Sequence, residues 1–255
     1  MKIGVALSGC GIGDLAVYCA LRQLQENGID IACVSASKEL AVSSVLFAAR
    51  CPISQSIEVL RQKFYADTAR IPFWRRWRWK KSFHHLLRNQ GVKRLSDLQT
   101  SLDIVAEEKR SGSLATFTGL AENGVEKKRW PSFLQREQDL KTITRLLFPT
   151  VGKSRYADPT YRIGYPTYQL KMEQLDRALC VEFTSPSDGT EEIKMQNEVM
   201  RDTIRSVLKN DAQFVIHLRE SNVRVSKKKR LKALEALGKE TVETQMVEIY
   251  EALLF

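Results

Sequence analysis

Lys2-Ile3-Gly4-Val5-Ala6-Leu7-Ser8-Gly9-Cys10-Gly11-Ile12-Gly13-Asp14 is the stretch on which the reading of this chain turns. Lys2–Leu7 is short, apolar and β-compatible, and it runs directly into a glycine-rich turn. The helix that follows carries Val17, Ala20, Leu21 and Leu24 at the i, i+3, i+4, i+7 spacing of a core-facing stripe. Asn27-Gly28 supplies its C-cap. A second apolar run, Ile29–Val34, leads into Ser35-Ala36-Ser37-Lys38-Glu39, and a further helix places Val42, Val45, Leu46 and Ala49 on one face. This strand–turn–helix order, repeated twice, predicts a parallel sheet with helical crossovers.

Both turns fall at the carboxyl ends of adjacent strands, where open α/β sheets place their sites. The first aims backbone N–H groups at a helix start toward an anion or an oxyanion. The second sets Ser37 at a strand-to-helix corner, the position of a nucleophile elbow. A serine that N-caps the helix starting near Lys38 fits the same residues.

The combination resembles the patatin-like phospholipases, whose chains open with a strand, a Gly-Gly-Gly-x-x-Gly loop, a helix and a Gly-x-Ser-x-Gly elbow. Here Gly9–Asp14 stands at the loop and Ser35–Glu39 at the elbow. The resemblance resumes in a core strand at Leu95–Ala106, a hairpin at Lys109–Gly112 returning through Ser113–Thr118, and a helix over Asp139–Pro149. The family's Asp-Gly-Gly loop has a counterpart in Asp158-Pro159-Thr160, with Pro166 eight positions after the aspartate as in the family. Strands at Leu179–Phe183 and Gln213–Leu218, a helix at Val199–Leu208 and a long basic-to-mixed helix from Lys227 complete the order.

The resemblance implies a three-layer α/β/α fold with a mostly parallel central sheet. It also implies one domain over residues 1–255, with loop and elbow in 1–50, a Trp/Arg-rich surface segment at 73–81 and a C-terminal helix at 227–255. It implies hydrolysis of lipid acyl esters, of the phospholipase or esterase type, by a Ser37–Asp158 dyad without a histidine. In that scheme backbone N–H groups of Gly9, Cys10, Gly11, Gly13 and Lys38 form the oxyanion hole, and no cofactor or metal takes part. Asp14, Ser35, Glu39 and Pro159 stand where the family has glycines. Glu39 crowds a corner that glycine leaves open, and Asp14 brings negative charge toward a developing oxyanion. A second reading follows: a catalytically impaired scaffold that binds anionic membrane, lipid or a protein partner.

Phe73-Trp74-Arg75-Arg76-Trp77-Arg78-Trp79-Lys80-Lys81 concentrates three of the four tryptophans among five basic residues. Indoles favour polar–apolar boundaries and basic side chains attract anionic head groups. Trp74, Arg75, Arg76, Trp77, Arg78 and Trp79 are therefore a candidate membrane-docking lip; the alternative is tryptophans capping the core under solvated arginines. The net charge of +10 attracts polyanions without choosing among them, and the absence of any nucleic-acid-binding signature makes lipid surfaces the expectation.

His84 and His85 fall in a helical stretch and His217 inside a strand, where ordinary surface or core roles are expected. No His or Cys spacing suits a metal. Five unpaired-looking cysteines, no spanning apolar run and no signal-peptide pattern predict a cytoplasmic protein, peripheral to the membrane at most. Oligomeric state leaves no mark in the sequence.

Overall fold

A computed structural model describes residues 1–68, 73–110, 114–118, 156–157, 175–185, 212–221 and 225–254, with backbone alone at 67–68, 73–77, 108, 114–115, 118 and 156–157. The expected helices at 139–149 and 199–208, the polar excursion at 119–135 and the Asp158–Pro166 loop lie outside these residues.

The opening unit folds as its periodicity predicts. Strand β1 (Ile3–Gly9) leads through a 3-10 turn (Gly11–Gly13) into helix α1 (Asp14–Glu26). Strand β2 (Ile31–Ser37) leads through a second 3-10 turn (Lys38–Leu40) into α2 (Ala41–Ala48). Gly28 takes φ +82° just past the Asn27 cap, which ends α1 as the Asn-Gly pair requires. Helices α3 (Ile53–Thr68) and α4 (Phe73–Asn89) follow, then β3 (Ser101–Glu108), β4 (Leu114–Thr118), β5 (Tyr156–Ala157), β6 (Arg177–Thr184) and β7 (Phe214–Arg219). The expected single C-terminal helix is two, α5 (Lys227–Thr244) and α6 (Met246–Leu254), broken at Gln245.

The sheet runs β4-β3-β2-β1-β6-β7, with β5 also paired to β3. The β1–β2, β2–β3, β1–β6 and β6–β7 pairs are parallel, whereas β4 and β5 lie antiparallel to β3. Helices flank the sheet on both sides, so the fold is the mostly parallel α/β architecture expected.

Side chains alternate across a strand, and the register therefore sorts the sheet into two faces. On one face Val5, Leu7, Val34, Ala36, Ile104, Val181, Phe183 and Ile216 join α1, α2, α3 and α5 in one apolar core. Against it α1 packs on α5 so closely that a Cβ on Gly238 would lie 2.1 Å from the Ala16 carbonyl oxygen. The second face is different. It begins with Ala6, Ala178 and Cys180 and turns polar toward the carboxyl edge, where Ser8, Ser35, Ser37 and Glu182 are all buried.

Arg230 anchors α5 to the ends of β6 and β7. Its guanidinium donates to both Glu220 carboxylate oxygens (2.5 and 2.7 Å), and the Ser185 hydroxyl donates to the same carboxylate at 2.7 Å. The guanidinium also stacks over Phe64 of α3, 5.6 Å from the ring centre. A buried charge held in a planar fork with its partner's oxygens filled is the geometry in which such a pair is tolerated inside a protein.

Candidate active site

The glycine loop keeps its shape because Phe183 of β6 leaves no room for anything larger. Gly9 sits at φ +139°, and a Cβ there would meet the Phe183 carbonyl oxygen at 2.6 Å. A Cβ on Gly13 would fall 2.2 Å from Cγ of the Phe183 ring. The Gly13 N–H donates to the Cys10 carbonyl at 2.9 Å and the Asp14 N–H to Gly11. The Gly13 N–H is thus engaged inside the turn. The N–H groups of Gly11 and Ile12 stand at the turn's open start, where a helix has no internal acceptor to offer.

Asp14 is engaged through both carboxylate oxygens. Its Oδ1 accepts the Ser43 N–H at 3.1 Å, near the start of α2, and its Oδ2 lies 2.8 Å from Lys63 Nζ. Lys63 also donates to the Gly11 carbonyl at 3.1 Å. The carboxylate therefore serves a helix N-terminus and an ammonium, both of which offset its charge. Glu39 is the acid that approaches the loop: its Oε2 lies 3.0 Å from where a Gly11 Cβ would be, and its side chain is 42% exposed with Lys38 Nζ 3.9 Å away.

Ser37 is fully buried, and among the described residues its Oγ has no hydrogen-bond partner. Its backbone is extended (φ −65°, ψ 154°), so the strained corner of a nucleophile elbow is not formed, and Arg50 is the one non-glycine residue at positive φ among those described. Ser37 does occupy the N-cap position of the Lys38–Leu40 turn, but its hydroxyl makes no capping bond.

Strand β5 enters in line with β2. Glu107 pairs with Leu114 on one edge of β3 and with Ala157 on the other. That second edge is the one β2 occupies as far as the Ser37–Val105 pair. Because β5 is antiparallel to β3 and β2 parallel to it, β5 runs head-on toward the carboxyl end of β2. Ala157 and Ser37 are two rungs apart on that edge, about 7 Å along the strand direction. Asp158 itself, with Pro159, lies outside the described residues.

The Trp/Arg segment is the first half of α4. Trp79 is buried with Phe83, Leu86 and Leu87 in the apolar core, while Arg78 is exposed. Trp79 thus belongs to the core reading and not to the lip, because helical spacing puts it on the face of Phe83 and Leu86. The side chains of Trp74, Arg75, Arg76 and Trp77 lie outside the described residues. Burial, then Arg88 and Lys80, push the His84 pKa down.

Reasoning from sequence missed His217. It lies on the second face of the sheet with Nδ1 3.0 Å from Oε2 of buried Glu182. Strand alternation could have placed it opposite Ile216 and Leu218, but no local pattern pairs β6 with β7. Among the described residues no group of three or more His, Cys, Asp or Glu side chains is arranged to hold a metal, and no helix is long and apolar enough to cross a membrane.

The architecture is thus an α/β sheet with a glycine loop and a buried serine at the carboxyl edge of its central strands. No protein-family model and no curated protein sequence matches the chain. Among solved structures it is similar to VipD from Legionella pneumophila, at 12% identity and a TM-score of 0.47, over 95% of this chain and 67% of that one. It is also similar to the type III effector protein ExoU, at 14% identity and a TM-score of 0.44, over 99% of this chain and 53% of that one. The chain therefore spans about half the length of ExoU and about two thirds of VipD.

Proposed function

We propose that the chain is a patatin-like acyl hydrolase acting on lipid or small acyl esters, with Ser37 as nucleophile and Asp158 as the base that takes its proton. The observation that carries this reading is the head-on approach of β5 to β2, which brings the chain toward Ser37 one residue before Asp158. The N–H groups of Gly11 and Ile12, with Lys38 after the serine, are the donors that suit a developing oxyanion; removing one such donor typically costs about 10²–10³ in rate. Attack by Ser37 Oγ forms an acyl-enzyme and expels the alcohol, and water then releases the acid. Lipid partners and a membrane-peripheral location accompany this reading, with Trp74 and Trp77 left as the docking candidates.

Labelling with a fluorophosphonate probe tests it. Wild type is expected to label, and Ser37→Ala and Asp158→Asn to lose both label and ester turnover while staying folded. Label or turnover retained in Ser37→Ala overturns the assignment.

The burial of Ser37 and its unstrained backbone favour a second reading, a scaffold that keeps the fold and binds lipid or a partner without turnover. Folded wild type that never labels, yet floats with anionic vesicles, selects it.

A further inference from the structure

The second face of the sheet carries a row of polar side chains that runs from Ser37 across three further strands, beyond the proposed dyad. Reading across the carboxyl edge, Ser37 of β2 pairs with Val105, Ser8 of β1 follows the Leu7–Ala36 pair, Ser8 pairs with Glu182, and Glu182 pairs with His217. Ser37, Ser8, Glu182 and His217 therefore project from the same face of four neighbouring parallel strands. Sheets covered on both faces are ordinarily apolar on both, as the opposite face is here with Leu7, Ala36, Val181, Phe183 and Ile216. Buried polar groups gathered at the carboxyl edge mark a place where chemistry, not packing, sets the composition.

Within that row Glu182 and His217 form an acid–base pair of graded burial. The Glu182 side chain is 4% exposed and the His217 side chain 36%, with Nδ1 and Oε2 3.0 Å apart. The imidazole lies between a buried carboxylate and solvent. Nδ1 faces the carboxylate, which leaves Nε2 as the nitrogen for exchange with water.

We propose that Glu182 and His217 are the proton exit of the site, a relay that carries the proton released by ester hydrolysis from the buried serine row to solvent. The proposal rests on the reading of Ser37 as nucleophile. In acylation the Ser37 Oγ–carbon bond forms, the ester C–O bond breaks and the serine proton ends on the leaving alcohol. In deacylation one water supplies the hydroxyl of the acid and returns a proton to Ser37. The acid product ionises near neutral pH, so each turnover leaves one proton behind Ser37's closed surroundings. Glu182 accepts it and passes it to the bare Nδ1 of His217 in its Nε2–H tautomer, and the imidazolium so formed releases its Nε2 proton to water, after which tautomer exchange with solvent resets the ring. Both residues act through this transfer and position no substrate.

Chemical rescue tests the relay. His217→Ala is expected to lower ester turnover by about 10²-fold, and added imidazole is expected to restore it in a concentration-dependent way while leaving wild type and Ser37→Ala unchanged. His217→Gln keeps a hydrogen-bonding side chain against Glu182 but moves no proton, so it is expected to lose turnover with its thermal midpoint retained. Wild-type turnover in either variant overturns the relay, and so does a loss in His217→Ala that imidazole does not relieve. Failure of the underlying reading looks different: an inert wild type overturns both, whereas a wild type that labels at Ser37 with the His217 variants unimpaired overturns the relay alone.

Discussion

Lys63 Nζ and Asp14 Oδ2 lie 2.8 Å apart with side chains only 9% and 4% exposed, and the same ammonium donates to the Gly11 carbonyl. One ion pair thus ties α3, the glycine loop and the start of α2 together. Lys63→Met keeps the volume and removes the charge, stranding the Asp14 carboxylate in a dry setting. Such stranding costs about 3–5 kcal/mol. A fall of that size in unfolding free energy by urea titration is expected, and Asp14→Asn in the Lys63→Met background is expected to recover part of it.

Gly13 and Phe183 form a steric lock. Gly13→Ala drives a methyl group into the Phe183 ring and is expected to destabilise the fold by about 1–3 kcal/mol, the usual cost of overpacking. Phe183→Leu alone leaves a cavity and also destabilises. The double variant is expected to be less destabilised than the sum of the two, and a thermodynamic cycle measures that coupling.

The thiols sort by burial. Burial pushes Cys19 up to about 12 and Cys51 up to about 11, and it holds Cys180 well above the usual thiol value. At pH 8 the thiolate of Cys19 is about one part in 10⁴. Cys10 and Cys33 are only part-buried. Alkylation of native protein followed by peptide mass mapping is expected to mark Cys10 and Cys33 first, with Cys19, Cys51 and Cys180 reacting at appreciable rates only in denaturant. Raising the pH from 7 to 9 increases the thiolate of every site, and the order stays the same.

Trp79 separates the two roles that the sequence offers for the Trp/Arg segment. Trp79→Ala opens a cavity beside Phe83 and Leu87 and is expected to cost about 3 kcal/mol or more in stability. Vesicle flotation of the still-folded variant is expected to match wild type, whereas Trp74→Ala with Trp77→Ala is expected to reduce it if this segment docks on membranes.

The opening unit was legible because its information is local. Val17, Leu21 and Leu24, the Asn27-Gly28 stop and the run Ile31–Val34 each name their own element, and the mostly parallel sheet follows from their order. What stayed hidden depends on partners far along the chain. Nothing near His217 announces that β7 will pair with β6 and set the imidazole beside Glu182. Nothing near Asp14 announces Lys63, so an acid that looked opposed to an oxyanion is held elsewhere. The break at Gln245 has no glycine or proline to mark it, and the two C-terminal helices looked like one. At Ser37 the motif gave the position but not the backbone angles, which the flanking Ser35 and Glu39 leave relaxed.

The contact of Gly238 with Ala16 carries a consequence for how the molecule is made. The backbone that helix α1 packs against follows it by more than two hundred residues, so α1 is synthesised well before its partner. During that interval the apolar flank of α1 faces water, and β1 waits likewise for β6. Contacts of such sequence separation slow folding and prolong exposure to aggregation. A version shortened before α5 keeps every residue of the loop and Ser37 while losing the helix against which α1 packs.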